Sequence, residues 1–542
     1  MATIIPFPGG RDAAQDAESR FPGLYLQDLG LSDDQIATLS DGRHEGLSAL
    51  LEVAPRLEPS DREAAPVLAQ TIGLLRSVQD REPARATANG NLPVVIVKEL
   101  FAGPFADAEP EYVRVNREDD SMVLSRVRWL AQKAGLLAFR SGAFRLTKVA
   151  TAALDSDNVD EIYRRLLEAH LRAPREIDHF DRIFVGGAIA ETVPLLLFAA
   201  RDATAEYLYE EDFADLLLAV RDDSYAGSDA LDHAVQLRFF ERFGEHFGLF
   251  EKGPDFEPPV ELPDRTFMSR GRWRRTGLFD RAFRWHVDPP KLAVQRPQVA
   301  AARLMYPIHE LPYPIDGTED YRVRELCLRA LERCPSEANA YVVLARLYAE
   351  RPELALSLAD AGISATAGTS PEVPDGVSPW RDHLYRDILR LHFVRAESLL
   401  RLGRTDDAFA EYEELLRIDP EDGIGAAHSY FAGLTEAGEH ERAQHVLDRF
   451  ADDESATTFW NATLAAFALG EKDLAATRAE AAMAANPHVP EFLLARRPPG
   501  APDSYTPGDE DEAAIYAESF HDLWRTVRGA REWLRRRVSG RR

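Results

Sequence analysis

Cysteine is nearly absent: the 542 residues hold two, Cys327 and Cys334. Seven positions apart on one predicted helix, their backbones stand roughly 10 Å from each other, too far to bridge. Both read as buried thiols of a reducing compartment. A metal site needs more Cys or His at ligand spacing, so neither a metal nor a cofactor is expected. Long apolar runs are also missing. No stretch approaches the roughly 20 residues of a membrane helix; the nearest, Val185 to Ala200, contains Glu191 and Pro194. The N-terminal Ile4-Ile5-Pro6-Phe7-Pro8-Gly9-Gly10 lacks the apolar core and basic start of a secretory leader. A cytoplasmic location without membrane attachment is expected. Positive charge is in deficit, with 64 Lys and Arg against 91 Asp and Glu, a net charge of −27. Phosphate contacts need concentrated Lys and Arg, so this balance disfavours the whole molecule as a binder of nucleic acid or anionic membrane.

The loops that mark common enzymes are missing as well. There is no Gly-x-x-x-x-Gly-Lys-Ser/Thr, no Gly-x-Gly-x-x-Gly after a strand, no Gly-x-Ser-x-Gly and no His-Glu-x-x-His. Asp178-His179-Phe180-Asp181 and Glu245-His246 set carboxylates beside histidines, but neighbours along a helix point apart. No catalytic residue is assigned and no enzyme is expected. What remains is 45% hydrophobic and 29% charged residues, the make-up of a soluble globular protein long enough for several domains.

Three stretches in the C-terminal half share one spacing: Gly403, Ala408, Tyr412, Leu415 and Pro420; Gly438, Ala443, Leu447 and Phe450; Gly470, Ala475, Ala479, Ala482 and Pro487. The glycines lie 35 and 32 residues apart. A period near 34 marks stacked helix-turn-helix units, which bury a core only by stacking. Val323, Cys327, Ala330 and Pro335 close an earlier unit, and Tyr341, Leu344, Ala345 and Tyr348 open the next. Small residues such as Ala396, Ala408, Ala443 and Ala475 let paired helices approach. The spacing resembles the tetratricopeptide repeat.

A narrower resemblance covers about residues 325–537. Ala338-Asn339-Ala340-Tyr341-Val342-Val343-Leu344-Ala345, Arg401-Leu402-Gly403-Arg404, Asn486-Pro487-His488-Val489-Pro490-Glu491-Phe492-Leu493-Leu494, Gly508-Asp509-Glu510, Ala513-Ala514-Ile515-Tyr516-Ala517 and Trp524 follow in order. This set is similar to the suppressor of tumorigenicity 7 family, whose members carry an Asn-Pro-His-Val-Pro segment in a tetratricopeptide-like region. The membrane-spanning helices of that family are missing here, so membrane localisation does not carry over. The resemblance implies scaffold-like binding and transfers no catalytic residue.

The N-terminal half carries a second kind of repetition. Val127 to Lys133 reads as a helix that Gly135 terminates. Two strand-like pieces follow around Arg140-Ser141-Gly142, and Thr147 caps the next helix. Leu237 to His246, the Gly248-Leu249 exit and Arg272-Trp273-Arg274-Arg275-Thr276 repeat that order. Each resembles a winged-helix module.

The expected fold is mostly α: a tetratricopeptide-like α-solenoid preceded by a helical region with winged-helix-like modules. The expected divisions are a flexible arm (1–20), a first module with its helices (21–156), a helical spacer with the second module (157–288), a proline-rich linker (289–316) and the repeat domain with a capping helix (317–542). Asp80 to Pro93 reads as a linker, 363–380 as a loop insertion, and Asp511 to Arg537 as one amphipathic cap.

This architecture points to a non-enzymatic adaptor that holds a protein or peptide in the groove of its repeats. The first helix of each repeat lines that groove, where Arg346, Arg390, Glu397, His428 and Trp460 are the candidate contacts. Each also reads as packed or solvated, and Trp460 beside Phe459 as core. The competing reading is a nucleic-acid-linked regulator. From Arg265 to Arg303 there are ten Lys or Arg and two acidic residues, with Trp273 and Trp285 interleaved, the make-up of a phosphate-contacting wing. The same stretch also reads as a positive patch docked on the chain's own acidic residues. The sequence names neither partner nor oligomeric state.

Overall fold

The computed structural model describes residues 29–40, 46–110, 112–172, 187–201, 207–220, 228–263, 272–290, 301–302, 304–305, 308, 319–368, 378–450, 453, 455–498, 500, 502 and 505–539. The expected N-terminal arm, most of the proline-rich linker and Asp178–Asp181 lie outside them. The chain divides into two compact units, one built mainly from 22–257 and 266–296, the other mainly from 297–542. No described helix is long and apolar enough to cross a membrane.

The first unit begins with α1 (Asp33–Ser40), α2 (Leu47–Leu50), β1 (Leu51–Val53) and α3 (Asp61–Ala64). Ser32 starts α1 as a capping box: its Oγ accepts from Gln35 N–H (3.3 Å) and its N–H donates to Gln35 Oε1 (2.8 Å). Then come α4 (Pro66–Gln79), β2 (Ala84–Arg85), α5 (Val94–Phe101), α6 (Met122–Lys133), β3 (Leu137–Arg140), β4 (Ala143–Leu146), α7 (Lys148–Asp155) and α8 (Val159–Arg172). The order helix, short strand, two helices, hairpin then recurs in α9 (Gly187–Ala199), β5 (Leu208–Tyr209), α10 (Glu210–Val220), α11 (Ser228–Val235), β6 (Phe250–Lys252) and β7 (Arg272–Arg275), with α12 (Gly277–Ala282) and β8 (Phe283–Trp285) closing the unit. Both three-stranded antiparallel sheets place the hairpin's second strand in the middle, β2-β4-β3 and β5-β7-β6.

The two copies agree down to single hydrogen bonds. Gly135 (φ 68°) and Gly248 (φ 70°) are left-handed. The following leucine N–H reaches back five residues, Leu136 to Ala131 O (2.9 Å) and Leu249 to Gly244 O (2.8 Å). The capping threonines donate to those glycine carbonyls, Thr147 Oγ1 to Gly135 O (2.7 Å) and Thr276 Oγ1 to Gly248 O (2.6 Å). Both copies share one hydrophobic core, which includes Leu195, Leu196, Leu197 and Phe198.

Two expectations change here. The 80–93 stretch is no mere linker, because Ala84 and Arg85 pair with Phe144 and Ala143 as the sheet's third strand. A two-residue strand between a proline and an Ala-Asn-Gly turn leaves no alternation to read. The helix at 237–246 is a π-helix over Gln236–Glu245, whose wide turn brings Phe239, Phe240 and Phe243 all into the core.

The second unit is α13 (Glu319–Arg333), α14 (Ala338–Leu347), α15 (Pro352–Thr366), α16 (His383–Arg401), α17 (Thr405–Ile418), α18 (Ala426–Glu436), α19 (His440–Asp448), α20 (Ala456–Ala468), α21 (Lys472–Ala485), α22 (Val489–Leu494), α23 (Glu510–Thr526) and α24 (Ala530–Ser539). Each helix packs on its neighbour in sequence from α13 to α21, a tetratricopeptide-like solenoid. The spacing residues Ala408, Tyr412, Leu415, Ala443, Leu447, Ala475, Ala479 and Ala482 are all buried. Gly403, Gly438 and Gly470 have φ of 72°, 80° and 82°. The next N–H again reaches back five residues: Arg404 to Leu399 O, Glu439 to Leu434 O and Glu471 to Ala466 O, at 2.9–3.0 Å. The paired bond from each glycine N–H completes a Schellman motif. Cys327 and Cys334 are buried and free. The expected insertion at 363–380 starts later, because α15 continues to Thr366. The expected single cap is two helices, broken at Gly529 (φ 85°).

These glycines differ in what surrounds them. A Cβ on Gly403 meets nothing within 4 Å, whereas one on Gly248 lies 2.6 Å from the carbonyl oxygen of Ala64. We predict that Gly403→Ala loses about 1–2 kcal/mol, the left-handed strain alone. Gly248→Ala should lose roughly twice that or more, because backbone must also move. Urea unfolding of the two variants checks this; equal losses would refute it.

Candidate functional site

The five expected contact residues do not form one surface. Arg346 on α14 and Arg390 and Glu397 on α16 lie on helices that pack together. Glu397 is half-buried, and desolvation pushes its carboxyl up to about 7 although the guanidiniums of Arg401 and Arg346 pull it down. Arg390 donates to Asp387 (2.7 Å) and stands over the ring of Trp380 (5.8 Å). Burial, with the nearby Asp387 charge, also pushes Glu337 at the start of α14 up to about 7. Glu337, Trp380, Asp387 and Arg401 belong to this surface and escaped the sequence reading. Glu337 directly precedes the Ala338–Ala345 motif, which was the one available signal.

His428 and Trp460 are elsewhere, His428 half-buried and Trp460 covered. Trp460 is wholly buried and edge-on to Trp524 of α23 (6.1 Å), so it cannot meet a partner. Asn461 on α20 holds His428 Nδ1 through its amide (3.2 Å), while its carbonyl accepts from Tyr516 Oη (3.0 Å), which in turn accepts from Trp524 Nε1 (3.0 Å). Burial keeps the His428 imidazole below the usual histidine range. Beyond this chain, Phe467 of α20 packs on Trp533 of α24 (5.1 Å). The protein's own C-terminal helices therefore fill the first-helix face of α18 and α20.

The short motifs of the C-terminal half hold that arrangement. Buried Asn486 donates from Nδ2 to Asp509 O (2.8 Å) and Glu512 Oε2 (2.9 Å), and its Oδ1 accepts from His488 N–H (3.0 Å). Glu512 also takes the Gly508 N–H (2.7 Å), and Asp509 caps α23 through Glu512 N–H (2.8 Å). The Asn-Pro-His-Val-Pro and Gly-Asp-Glu segments are thus one joint that aims α23.

The arginines of the basic stretch are engaged within their own unit. Arg281 makes a two-pronged bond to Asp61 (2.7 Å each), Arg284 pairs with Glu52 (3.0 Å) and Arg274 with Glu251 (2.9 Å). Arg272 lies over Tyr207 (4.7 Å) and Arg275 faces Asp280 (3.6 Å). Trp273 is fully buried, stacked on Phe240 (5.2 Å), and Arg201 covers Trp285 (4.8 Å). Arg265, Arg270, Lys291, Arg296 and Arg303 lie outside the described residues.

Between the two copies sits a buried basic cluster. Arg126 of α6 donates to His246 Nδ1 (3.1 Å), so the His246 proton is on Nε2, which donates to Gln70 Oε1 (2.8 Å). His170 stacks on Phe243 (4.3 Å). Desolvation, then the Arg126 charge, push His170 down to about 3 and His246 well below its usual range; desolvation and Arg242 bring Arg126 to about 10. His246 beside Glu245 is thus a structural clasp. Among the described residues no three or more His, Cys, Asp or Glu are grouped to hold a metal ion.

No protein-family model matches the chain. No curated protein matches it either. Among solved structures it is similar to YrrB, described as a TPR protein with an unusual peptide-binding site, at 16% identity and a TM-score of 0.26, over 36% of this chain and 86% of that one.

Two predictions follow from these contacts. Neutral in the fold, His170 and His246 bind protons more readily when unfolded, where histidine titrates near 6.5. Stability is therefore full above pH 6.5 and falls as the pH drops toward the folded values, by up to about 1.4 kcal/mol per pH unit for each. Urea midpoints between pH 7.5 and 5 should show this, and His170→Phe should flatten the slope; no slope in the wild type would refute it. Tyr516→Phe should cost about 1–3 kcal/mol by stranding Asn461 Oδ1 and Trp524 Nε1; an unchanged urea midpoint would exclude that role.

Proposed function

We propose that this protein is a non-enzymatic scaffold that binds a protein or peptide segment on the first-helix face of α14 and α16. One observation carries the reading. The chain's own α23 and α24 occupy that face on α18 and α20, inserting Trp524 and Trp533 as a bound segment would, and so mark it as a surface suited to helical occupants. The remaining stretch keeps half-buried charged groups, and among the described residues no side chain hydrogen-bonds Glu397, whose carboxyl sits near neutrality. The resemblance to the suppressor of tumorigenicity 7 family supports the same scaffold class through its short motifs alone. Engagement of Arg272, Arg274, Arg275, Arg281 and Arg284 by neighbours in their own unit speaks against the nucleic-acid reading placed on that stretch.

The test is recovery of partners by the tagged full chain from its own host, beside an Arg346→Glu, Glu397→Arg variant. A discrete protein present with the wild type and at least tenfold depleted with the variant is expected. Equal recovery by a variant with an unchanged circular dichroism spectrum would overturn the assignment.

A further inference from the structure

The two wings carry arginine in different states. On the second, every described arginine has a neighbour on its own unit: Arg272 has Tyr207 and Pro254 O, Arg274 has Glu251, and Arg275 has Asp280. On the first, Arg85, Arg140 and Arg145 are exposed and have no ion pair among the described residues. Their placement follows from strand register. Arg85 and Arg140 are both opposite Ala143, one from each side, and Arg145 is opposite Ala138. Directly opposed residues share a face, and so do alternate residues along a strand. Arg85, Arg140, Arg145, Ala138 and Ala143 therefore form one face of the sheet, while Ala84, Leu137, Phe139, Phe144 and Leu146 form the other. The three arginines mark out an area about 10 by 7 Å, from a spacing of about 4.8 Å between strands and 3.4 Å along them. Lys148, just past the sheet, is exposed too. Between the arginines stand Ala138, half-buried, and Ala143, buried.

We infer that this outer face of the first wing is a docking surface for the phosphate backbone of duplex nucleic acid. Guanidinium is a rigid planar fork that grips phosphate oxygens in pairs. A strand of duplex DNA carries one charge per about 3.4 Å of its axis, so an area this size meets more than one phosphate at once. Carboxylate is the weaker candidate. The chain holds 91 Asp and Glu, and their carboxylates pair with Arg274 and Arg275 of the second wing yet, among the described residues, leave these three arginines alone. The acidic remainder does not forbid the contact, since charges more than about 8 Å away are largely screened at physiological salt. The contact is independent of the α14–α16 groove. It also differs from an α6-led mode, because Arg126 on that helix is committed to His246.

The full chain, an Arg85→Glu, Arg140→Glu, Arg145→Glu variant and an Arg274→Glu control are titrated with a labelled 20-base-pair DNA duplex by fluorescence anisotropy. Salt is varied from about 50 to 200 mM. The wild type and the control should bind with a steep salt dependence. The triple variant should lose about 2.7 from the slope of log affinity against log salt, near 0.9 for each phosphate contact removed. All three sites are exposed, so its urea midpoint should match the wild type and exclude unfolding as the cause. No binding by the wild type at 50 mM salt, or equal binding by the triple variant, would overturn the inference. So would displacement of the duplex by an equal charge of polyglutamate, which would assign the face to an acidic protein segment.

Discussion

One helix ending turns a helix sharply into its next element at five places among the described residues. A glycine goes left-handed, its own N–H bonds back three residues, and the next N–H bonds back five. The arrangement recurs at Gly135, Gly248, Gly403, Gly438 and Gly470. It satisfies carbonyls that a helix end otherwise leaves open, and it fixes the exit direction with little freedom. In the first unit the exit leads into a hairpin, in the second into an antiparallel helix. What differs is the residue after the turn. Leu136 and Leu249 are wholly buried apolar side chains that carry the chain into the sheet; Arg404, Glu439 and Glu471 are polar and start the returning helix. Two architectures thus depend on a single local solution.

This explains which parts of the molecule were legible in the sequence. The glycine endings and the threonine caps at helix starts act over fewer than six residues, and the alanines at helix crossings recur at a fixed spacing from the glycines, so each could be placed from local spacing. Ala408, Ala443 and Ala475 landed in the core for that reason. The face a helix shows to distant chain was not legible. Trp460 and His428 occupy first-helix positions like those of Arg390 and Glu397, yet their exposure is decided by Trp524 and Tyr516, 55 or more residues later. Likewise nothing local distinguished Ala84 and Arg85 as a strand, because their partner is β4, nearly sixty positions on.

The C-terminal helices also change what a repeat array needs at its end. A solenoid normally exposes the apolar side of its last unit and requires a polar-backed cap. Here α23 and α24 go further and cover the first-helix face. The joint at Asn486, Asp509 and Glu512 sets their angle of approach, and the chain of polar bonds from His428 to Trp524 sets their register. A purely apolar contact would permit sliding, whereas buried amide and hydroxyl groups lose their partners if the helix shifts by one turn. The α14–α16 face has no such internal occupant among the described residues.

The duplicated half shows the complementary logic. Two copies of one supersecondary unit fold against each other so closely that α6 of the first meets the π-helix of the second across Arg126 and His246. That contact brings three cationic or protonatable side chains together in a desolvated place, and it is tolerable only because the histidines stay neutral and Gln70 accepts the one proton left on His246. The copies then diverge where they face water. In the second copy Arg274, Arg275 and Arg272 meet Glu251, Asp280 and Tyr207, and Arg281 and Arg284 tie the end of that copy to Asp61 and Glu52 at the start of the unit. In the first copy the sheet arginines, Arg85, Arg140 and Arg145, are exposed and have no ion pair among the described residues. The two copies thus place the same residue type differently, paired within the unit in one and facing solvent in the other.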